Sequence, residues 1–250
     1  MAAPHRVEPY PKSVVTVDGR RNSDNPAPAG PGTHFGRGPG MRQGPGAMTA
    51  IILVRHGHVE GITPERFRGR ADLPLTELGR RQAAAVAREV AARCRPEAIY
   101  ASPLARCRDT AAAIGAACGV APQTAAGLVD IDYGDWQGLS REAASARWPE
   151  EVARWFRVPH LAAIPNGESL AALSLRAGAA LHDILRRHPH GTVVAVAHDT
   201  VNRVLLLQAL ELPLSRFWRI KQQPCAINQL DFDGDAFTVC SLNEAQHFPT

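Results

Sequence analysis

Apolar and polar positions recur along the chain in blocks that predict strands alternating with helices. Short apolar runs, each bounded by polar segments, predict strands at residues 50–54, 98–101, 192–197, 227–232 and 237–241. The run at 192–197 is apolar after its first residue, which indicates a strand buried on both faces. The last two runs flank Asp233-Gly234-Asp235 and predict a hairpin.

Four amphipathic helices are predicted to follow these strands. In the first helix, Ala83, Val86, Ala87 and Val90 recur at the spacing of a single helix face. The predicted helices follow Thr76, Ser102-Pro103, Asn166-Gly167-Glu168 and His198-Asp199, with the second ending at about Cys118 and the third at His188-Pro189. Alternation of this kind predicts an α/β fold, a three-layer sandwich around a central, mostly parallel sheet.

Residues 128–165 interrupt the alternation. They carry three of the four tryptophans and little strand pattern. We expect them to form a small insertion over one face of the sheet, where it would act as a lid over the active site.

Residues 1–47 differ in composition from the rest of the chain. They hold eight glycines and eight prolines and show no periodic apolar pattern. Such a segment buries too little apolar surface to offset the entropy of ordering, so we expect it to be disordered. It also lacks the continuous apolar stretch of a secretory signal. The globular domain is expected over residues 48–250, and Met48 is an alternative candidate for the natural start of the protein.

Charge and cysteine content narrow the function classes. The leader contributes +3 of the formal charge of +4, because it holds six Lys/Arg and three Asp/Glu. The remaining chain is nearly neutral, so neither a nucleic-acid surface nor, without an apolar run of ~20 residues, a membrane span is indicated. The five cysteines form no Cys-x-x-Cys pair, which predicts reduced thiols and a cytoplasmic location rather than a disulfide framework or a zinc site.

Two of the predicted strands end in a histidine. Arg55-His56 follows the first strand, and His198-Asp199 follows the strand at 192–197. The carboxyl ends of parallel strands share one edge of a sheet, so both histidines are expected at that edge. Arg106, in the first turns of the second helix, is expected to join them. Two arginines beside two histidines predict an anion site, and the planar guanidinium group suits phosphate oxygens.

Five short motifs occur in an order that is typical of one enzyme family. They are Leu53-Val54-Arg55-His56-Gly57 with the segment 67–83, residues 99–111 around Arg106, residues 128–138 around Asp130, Gly167-Glu168-Ser169, and Val196-Ala197-His198. Together they resemble the histidine phosphatase superfamily, in its phosphoglycerate-mutase-like first branch, over about residues 51–245. The resemblance implies a phosphoglycerate-mutase-like fold and a phosphomonoesterase acting on a small phosphorylated metabolite, without a cofactor or metal ion.

The resemblance also implies roles for individual residues. His56 would be the nucleophile that is transiently phosphorylated, since a neutral imidazole can attack phosphorus near pH 7. Arg55, Arg106 and His198 would hold the phosphoryl group. Arg66, in the loop after the nucleophile, is a further candidate for contact with an anionic substrate.

The leaving oxygen needs a proton donor, and two carboxyl groups are candidates. The family usually has a glutamate where this chain has Asp130, which is one methylene shorter. Asp199 is the alternative, because a His-Asp pair serves this purpose in the acid-phosphatase branch of the superfamily. Asp199 could instead have a structural role as the N-cap of the next helix. His58 replaces a residue that the family often uses near phosphate, and its role is left open.

Other functions remain compatible with the same residues. A phosphoglycerate mutase of the same fold is one, although the short insertion and short C-terminal tail favour hydrolysis. A metal-dependent hydrolase is a more remote alternative, because His56, His58 and His198 imitate a dinuclear zinc pattern. A non-catalytic phosphoprotein-binding descendant follows if Asp130 cannot donate a proton. The sequence predicts neither the substrate nor the oligomeric state.

Overall fold

The computed structural model describes residues 48–248, so the leader 1–47, predicted to be disordered, lies outside the described residues. Six strands form one sheet in the order β3-β2-β4-β1-β5-β6. Their bounds are β1 Thr49–Arg55, β2 Ala98–Ala101, β3 Pro122–Thr124, β4 Thr192–Ala197, β5 Ile227–Phe232 and β6 Phe237–Glu244. The first four are mutually parallel, and the hairpin β5–β6 adds to β1 in the antiparallel sense. The mostly parallel sheet and the hairpin predicted from the sequence are confirmed.

Six helices accompany the sheet within the described part of the chain. They are α1 Glu77–Arg93, α2 Ala105–Cys118, α3 Arg141–Arg147, α4 Pro149–Arg157, α5 Leu170–Arg187 and α6 Asp199–Ala209. Along β1, Ile52 and Val54 pack with residues of α1 and α2, whereas Ile51 and Leu53 pack with residues of α5 and α6. Successive strand side chains point to opposite faces, so this division gives helices on both sides of the sheet. The three-layer α/β sandwich is confirmed.

The register of the central strands fixes the position of the site. Arg55 of β1 lies opposite Ala197 of β4, so the two strands end at the same level. The backbone N–H of His56 then donates to the Ala197 carbonyl at 3.0 Å. His56 and His198, the next residue after each strand, are thereby brought to one edge of the sheet.

The segment 128–165 contains α3, α4 and two short 3-10 helices, Gly134–Trp136 and Pro159–Leu161. Trp136 and Trp155 are fully buried in the core cluster that also holds α5 and α6 side chains. The insertion is therefore packed onto the same side of the sheet as α5 and α6.

Two of the predicted helix caps differ in the structure. Helix α2 begins at Ala105 with Leu104 at its N-cap, so Ser102-Pro103 lies outside the helix. Helix α5 begins where predicted, after Asn166-Gly167-Glu168, and its N-cap is Ser169, whose hydroxyl accepts from the Ala172 N–H at 3.2 Å. The N-cap of α6 is His198, so the N-cap interpretation of Asp199 is wrong. Strand β3 was not predicted, because it is three residues long, exposed and starts with a proline.

Candidate active site

The edge of the sheet carries a compact group of buried ionisable side chains. Arg55, His56, Arg106, Asp130 and His198 are each at most 7% exposed. The rings of His56 and His198 meet edge to face with their centroids 5.3 Å apart. Burial of five such groups is costly unless they are paired, so their mutual contacts decide what the site can do.

The tautomer of His56 is fixed by its own backbone. Its Nδ1 lies 2.7 Å from the carbonyl oxygen of Gly57. A carbonyl only accepts, so Nδ1 carries the proton and Nε2 keeps its lone pair. Burial, together with the charges of Arg106, His198 and Arg55, lowers the pKa of His56 well below its ordinary value. At neutral pH, His56 is therefore an uncharged imidazole with a free nucleophilic nitrogen.

The loop after His56 is packed tightly on helix α1. A Cβ at Gly57 would lie 2.6 Å from the Gly79 carbonyl oxygen, and one at Gly79 would lie 2.1 Å from the His58 carbonyl oxygen. The Gly57 N–H also donates to Thr110 Oγ1 on α2 at 3.2 Å. These close approaches hold the carbonyl that orients His56.

His198 is held between an arginine and a serine. Arg106 Nε donates to His198 Nδ1 at 3.2 Å, so in the neutral ring the proton resides on Nε2. His198 Nε2 lies 2.7 Å from Ser102 Oγ and donates to it. Burial, partly opposed by Asp130, lowers the pKa of His198 to about 3. Ser102 thus fixes a tautomer rather than capping a helix.

Arg106 links the loop, the histidine and the carboxylate. Its Nη1 donates to the Ala71 carbonyl and its Nη2 to the Gly69 carbonyl, both at 2.7 Å. Nη2 also lies 3.1 Å from Asp130 Oδ2. The fully buried guanidinium is therefore rigidly oriented.

Asp130 is an ionised acceptor in this arrangement. Its Oδ1 accepts from the Thr200 hydroxyl and, at 2.9 Å, from the Ile131 N–H. Burial acts to raise the pKa of Asp130, but His198, Arg106 and the Thr200 hydrogen bond together lower it below its ordinary value. A proton-donating role thus requires a change in the surrounding charge.

Arg55 is positioned from the opposite side by a polar network. Its Nη1 donates to the Gln222 carbonyl at 2.5 Å. The Gln222 side chain exchanges hydrogen bonds with Asn228, which also donates to the Leu53 carbonyl at 3.0 Å. Arg55 Nε is buried and has no partner among residues 48–248. Burial lowers the pKa of Arg55, and the charges of Asp199 and Asp130 partly oppose this shift.

A cavity that is partly open to solvent lies above this group. His56, Asp130 and Thr200 form part of its wall, whereas Arg55, Arg106 and His198 lie behind the wall. The remaining lining is basic, acidic and aromatic: Arg66, Arg68, Arg141, Glu65, Asp199, Phe67, Gly69, Tyr133, Trp155, Phe156 and Trp218. The cavity therefore offers three arginines and an aromatic surface beside the nucleophile.

The other candidates from the sequence divide into two groups. Arg66 and Asp199 both line the cavity; Arg66 donates to the Gly138 carbonyl at 2.9 Å, and Asp199 accepts from Arg203 Nε at 2.8 Å. His58 does not line the cavity, and its Nδ1 is hydrogen-bonded to Thr76 Oγ1, the N-cap of α1. Within residues 48–248, no group of three or more His, Cys, Asp or Glu side chains is placed to hold a metal ion.

Several site residues were missed in the sequence. Thr200 directly follows His198-Asp199, and this position beside a candidate histidine is the feature of the sequence that indicates a role in the site. Arg141 and Trp218 come from segments far apart in the chain and approach the cavity only through tertiary packing.

Across the described residues, no helix is long and apolar enough to cross a membrane, and all five cysteines are free.

Comparison with known proteins agrees with this geometry. The sequence profile of the histidine phosphatase superfamily (branch 1) matches residues 51–245. Phosphoserine phosphatase 1 of Hydrogenobacter thermophilus is 35% identical over 200 residues, covering 80% of this chain and 94% of that protein. The probable phosphoglycerate mutase GpmB of Proteus mirabilis is 33% identical over 187 residues, covering 74% of this chain and 86% of that protein. The solved structure of Bacillus stearothermophilus YhfR is similar, with a TM-score of 0.76 and 28% identity, covering 80% of this chain and 98% of that one.

Proposed function

The chain belongs to the histidine phosphatase superfamily (branch 1), and we propose that it is a phosphomonoesterase that works through a phosphohistidine on His56. The observation that carries this proposal is the hydrogen bond from His56 Nδ1 to the Gly57 carbonyl, which leaves Nε2 unprotonated at a cavity wall. A neutral imidazole held this way is preorganised to attack phosphorus.

The first step forms the phosphoenzyme. The Nε2 lone pair attacks phosphorus, a P–N bond forms, and the bond from phosphorus to the leaving oxygen breaks. The leaving oxygen keeps that electron pair and takes a proton from a carboxyl group. Arg55 and Arg106 stabilise the charge on the transferring group, and losing one such donor typically costs about 3 kcal/mol of barrier. His198 joins them when its N–H turns from Ser102 to the phosphoryl group.

Asp130 is the proposed proton donor. It lines the cavity beside His56 and is paired with Arg106; His198, Arg106 and the Thr200 hydrogen bond lower its pKa in the unliganded arrangement. A phosphate dianion bound among the same cations adds negative charge next to Asp130, and negative charge raises the pKa of a carboxyl group. Substrate binding therefore favours the protonated, donating form of Asp130. Asp199, which also lines the cavity, is the alternative donor.

The second step returns the enzyme to its starting state. A water attacks phosphorus and gives its proton to the Asp130 carboxylate, while the P–N bond breaks and inorganic phosphate leaves. His56 regains its lone pair, so the cycle consumes one water and one phosphomonoester. Every group in this cycle belongs to the chain, to the substrate or to water.

The substrate is proposed to be a small phosphorylated metabolite whose leaving group carries an anionic part. Arg66, Arg68 and Arg141 line the cavity and suit such a group. The relative from Hydrogenobacter thermophilus is named a phosphoserine phosphatase, so O-phosphoserine belongs among the first compounds to assay.

Phosphoryl transfer of the mutase type is the second candidate. Its support is the 33% identity to the relative named a probable phosphoglycerate mutase. A mutase must hold the intermediate away from water and pass the phosphoryl group back to a second hydroxyl. Assays with 3-phosphoglycerate separate the two functions, because a mutase forms 2-phosphoglycerate and a phosphatase releases inorganic phosphate.

The test is to trap the phosphoenzyme in the full-length protein. The protein is mixed with O-phosphoserine, 3-phosphoglycerate or 4-nitrophenyl phosphate, and the reaction is rapidly quenched. We expect this to yield a phosphoryl adduct that is stable to base and labile to acid. His56→Ala is expected to lose both the adduct and phosphate release, whereas the matched variant His58→Ala keeps them. An adduct that persists in His56→Ala, or no phosphate release from any phosphomonoester, contradicts the proposal.

A further inference from the structure

Arg176 of helix α5 lies against the segment that carries Asp130. Its Nη1 donates to the carbonyls of Gly127 and Val129 at 3.0 and 2.7 Å, and its Nη2 donates to the Asp130 carbonyl at 2.9 Å. This segment passes from a 3-10 turn, Ala126–Leu128, into irregular chain. Its carbonyls are therefore held here by a side chain rather than by a strand or helix.

The guanidinium of Arg176 is itself held by Glu168. Glu168 Oε1 accepts from Nε at 2.6 Å, and Oε2 accepts from Nη2 at 2.7 Å. With the three carbonyls, these contacts use all five N–H groups of the arginine. The Glu168 side chain is only 11% exposed, so the bidentate pair is shielded from solvent.

Two further contacts show how tightly the segment is placed. A Cβ at Gly127 would lie 2.6 Å from Ala180 Cβ, so the backbone of the segment touches α5 directly. Arg70 approaches the Asp130 carbonyl as well, with its Nε at 3.5 Å, but its side chain is 41% exposed. Arg176 is the more buried of the two donors.

We propose that Arg176, oriented by Glu168, is a positioning residue for the proton donor Asp130. This inference rests on the proposed function, in which Asp130 gives its proton to the leaving oxygen as the P–O bond breaks. The Asp130 carbonyl and carboxyl belong to one residue, so fixing its backbone fixes where the carboxyl can reach. Asp130 is one methylene shorter than the family's usual glutamate, and a shorter side chain depends more on backbone placement.

Lysine cannot replace Arg176 in this arrangement. An ammonium has three donors at one point, whereas Arg176 spans three carbonyls and a carboxylate with a rigid planar group. Misplacement of a reacting group by about 1 Å costs up to about a hundredfold in rate. The loss is expected to fall on the proton-transfer step and to leave binding of the phosphoryl group largely intact.

The test compares two substrates that differ in their need for a proton. 4-Nitrophenyl phosphate has a good leaving group, whereas glycerol phosphate has a poor one that needs protonation. We expect Arg176→Lys and Glu168→Gln in the full-length protein to lower kcat for glycerol phosphate about tenfold more than kcat for 4-nitrophenyl phosphate. Arg186→Lys is the matched control on the same helix, because Arg186 is exposed and pairs with Asp183. We expect it to change neither value.

A cycle with Asp130→Asn makes the test specific. If Arg176 acts through Asp130, Arg176→Lys adds little to the leaving-group effect in the Asp130→Asn background. Equal losses for both substrates, or a full extra loss in that background, overturn the inference while hydrolysis by the wild type still stands. No hydrolysis of either substrate by the wild type contradicts the proposed function itself. Thermal unfolding curves show that each variant is folded, and Glu168→Gln carries the test if Arg176→Lys is not.

Discussion

Arg106 Nη2 and Asp130 Oδ2 lie 3.1 Å apart in an environment that leaves the arginine side chain fully buried. His198, this pair and the Thr200 hydrogen bond together lower the pKa of Asp130, although a proton donor must be protonated when it acts. In the proposed mechanism, phosphate oxygens would compete with Asp130 for Arg106, and the negative charge of the phosphate would raise the pKa of the Asp130 carboxyl group. In the proposed mechanism, substrate binding would convert this ion pair into a protonated Asp130 and an Arg106 cation held on phosphate.

The first prediction separates the two candidate acids. Asp130→Asn is expected to lower kcat for glycerol phosphate by about a hundredfold and kcat for 4-nitrophenyl phosphate much less, because only the poor leaving group needs a proton. Asp199→Asn is the matched control, since Asp199 lines the same cavity but pairs with Arg203. Steady-state kinetics of both variants with both substrates check this. An equal or larger effect of Asp199→Asn would reverse the assignment.

The second prediction concerns His58 and chelation. His58 bonds to Thr76 and does not line the cavity, so His58→Ala is expected to keep kcat within about threefold of the wild type, with its main cost in helix capping of about 1 kcal/mol or less. Activity is also expected to survive EDTA. Phosphate release measured before and after chelation, for wild type and His58→Ala, decides between the phosphohistidine and zinc mechanisms. Loss of activity with EDTA would favour the zinc alternative.

The sequence predicted the strand ends well and the side-chain network poorly. Residues 50–54 and 192–197 are apolar runs, and their own sequence is enough to predict two buried strands. Because the two strands pair in parallel, His56 and His198 meet at the same edge of the sheet. Arg106 lies near the same edge because helix α2, which carries it in its first turn, follows strand β2. The contacts of Glu168 with Arg176 and of Ser102 with His198 join residues 8 and 96 positions apart. Local pattern does not encode such pairs, because they depend on how segments pack.

Polar residues near helix starts account for two of the errors. Serine followed by proline is a common start of a helix, which led to the prediction that Ser102 is an N-cap. Its hydroxyl instead accepts from His198 Nε2, and the helix begins three residues later. Aspartate is also favoured at N-caps, which makes Asp199 a candidate, but His198 occupies that position. A polar side chain serves the backbone or a neighbouring side chain, and only tertiary structure shows which one it contacts.

The third prediction is a loss of stability in acid. His198 is buried and its folded pKa, about 3, lies below its ordinary value of 6.5, so the unfolded chain binds more protons between these values. The contribution of neutral His198 to the free energy of unfolding is fully present above about pH 6.5 and is lost as pH falls toward 3. The free energy of unfolding changes with a slope of at most about 1.4 kcal/mol per pH unit. Urea unfolding between pH 7.5 and 4.5 measures it. His198→Gln is expected to flatten the dependence, whereas exposed His160→Gln leaves it unchanged; equal slopes in all three proteins would contradict the prediction.

The fourth prediction tests the tautomer of His198. Ser102 Oγ accepts from His198 Nε2, which directs the Nδ1 lone pair toward the Nε–H of Arg106. Ser102→Ala leaves this buried N–H without its acceptor, at a cost of about 1–3 kcal/mol in the free energy of unfolding. It also removes the group that orients the ring, so we expect kcat to fall about tenfold and the pH dependence of kcat to shift. Ser169→Ala is the matched control, because its hydroxyl caps α5 and its loss costs about 1 kcal/mol of stability with no change in kcat. Stability from urea unfolding and kcat over pH 5–9 separate the two serines. If Ser102→Ala changes stability alone, as Ser169→Ala does, Ser102 only stabilises the fold and His198 is oriented by Arg106.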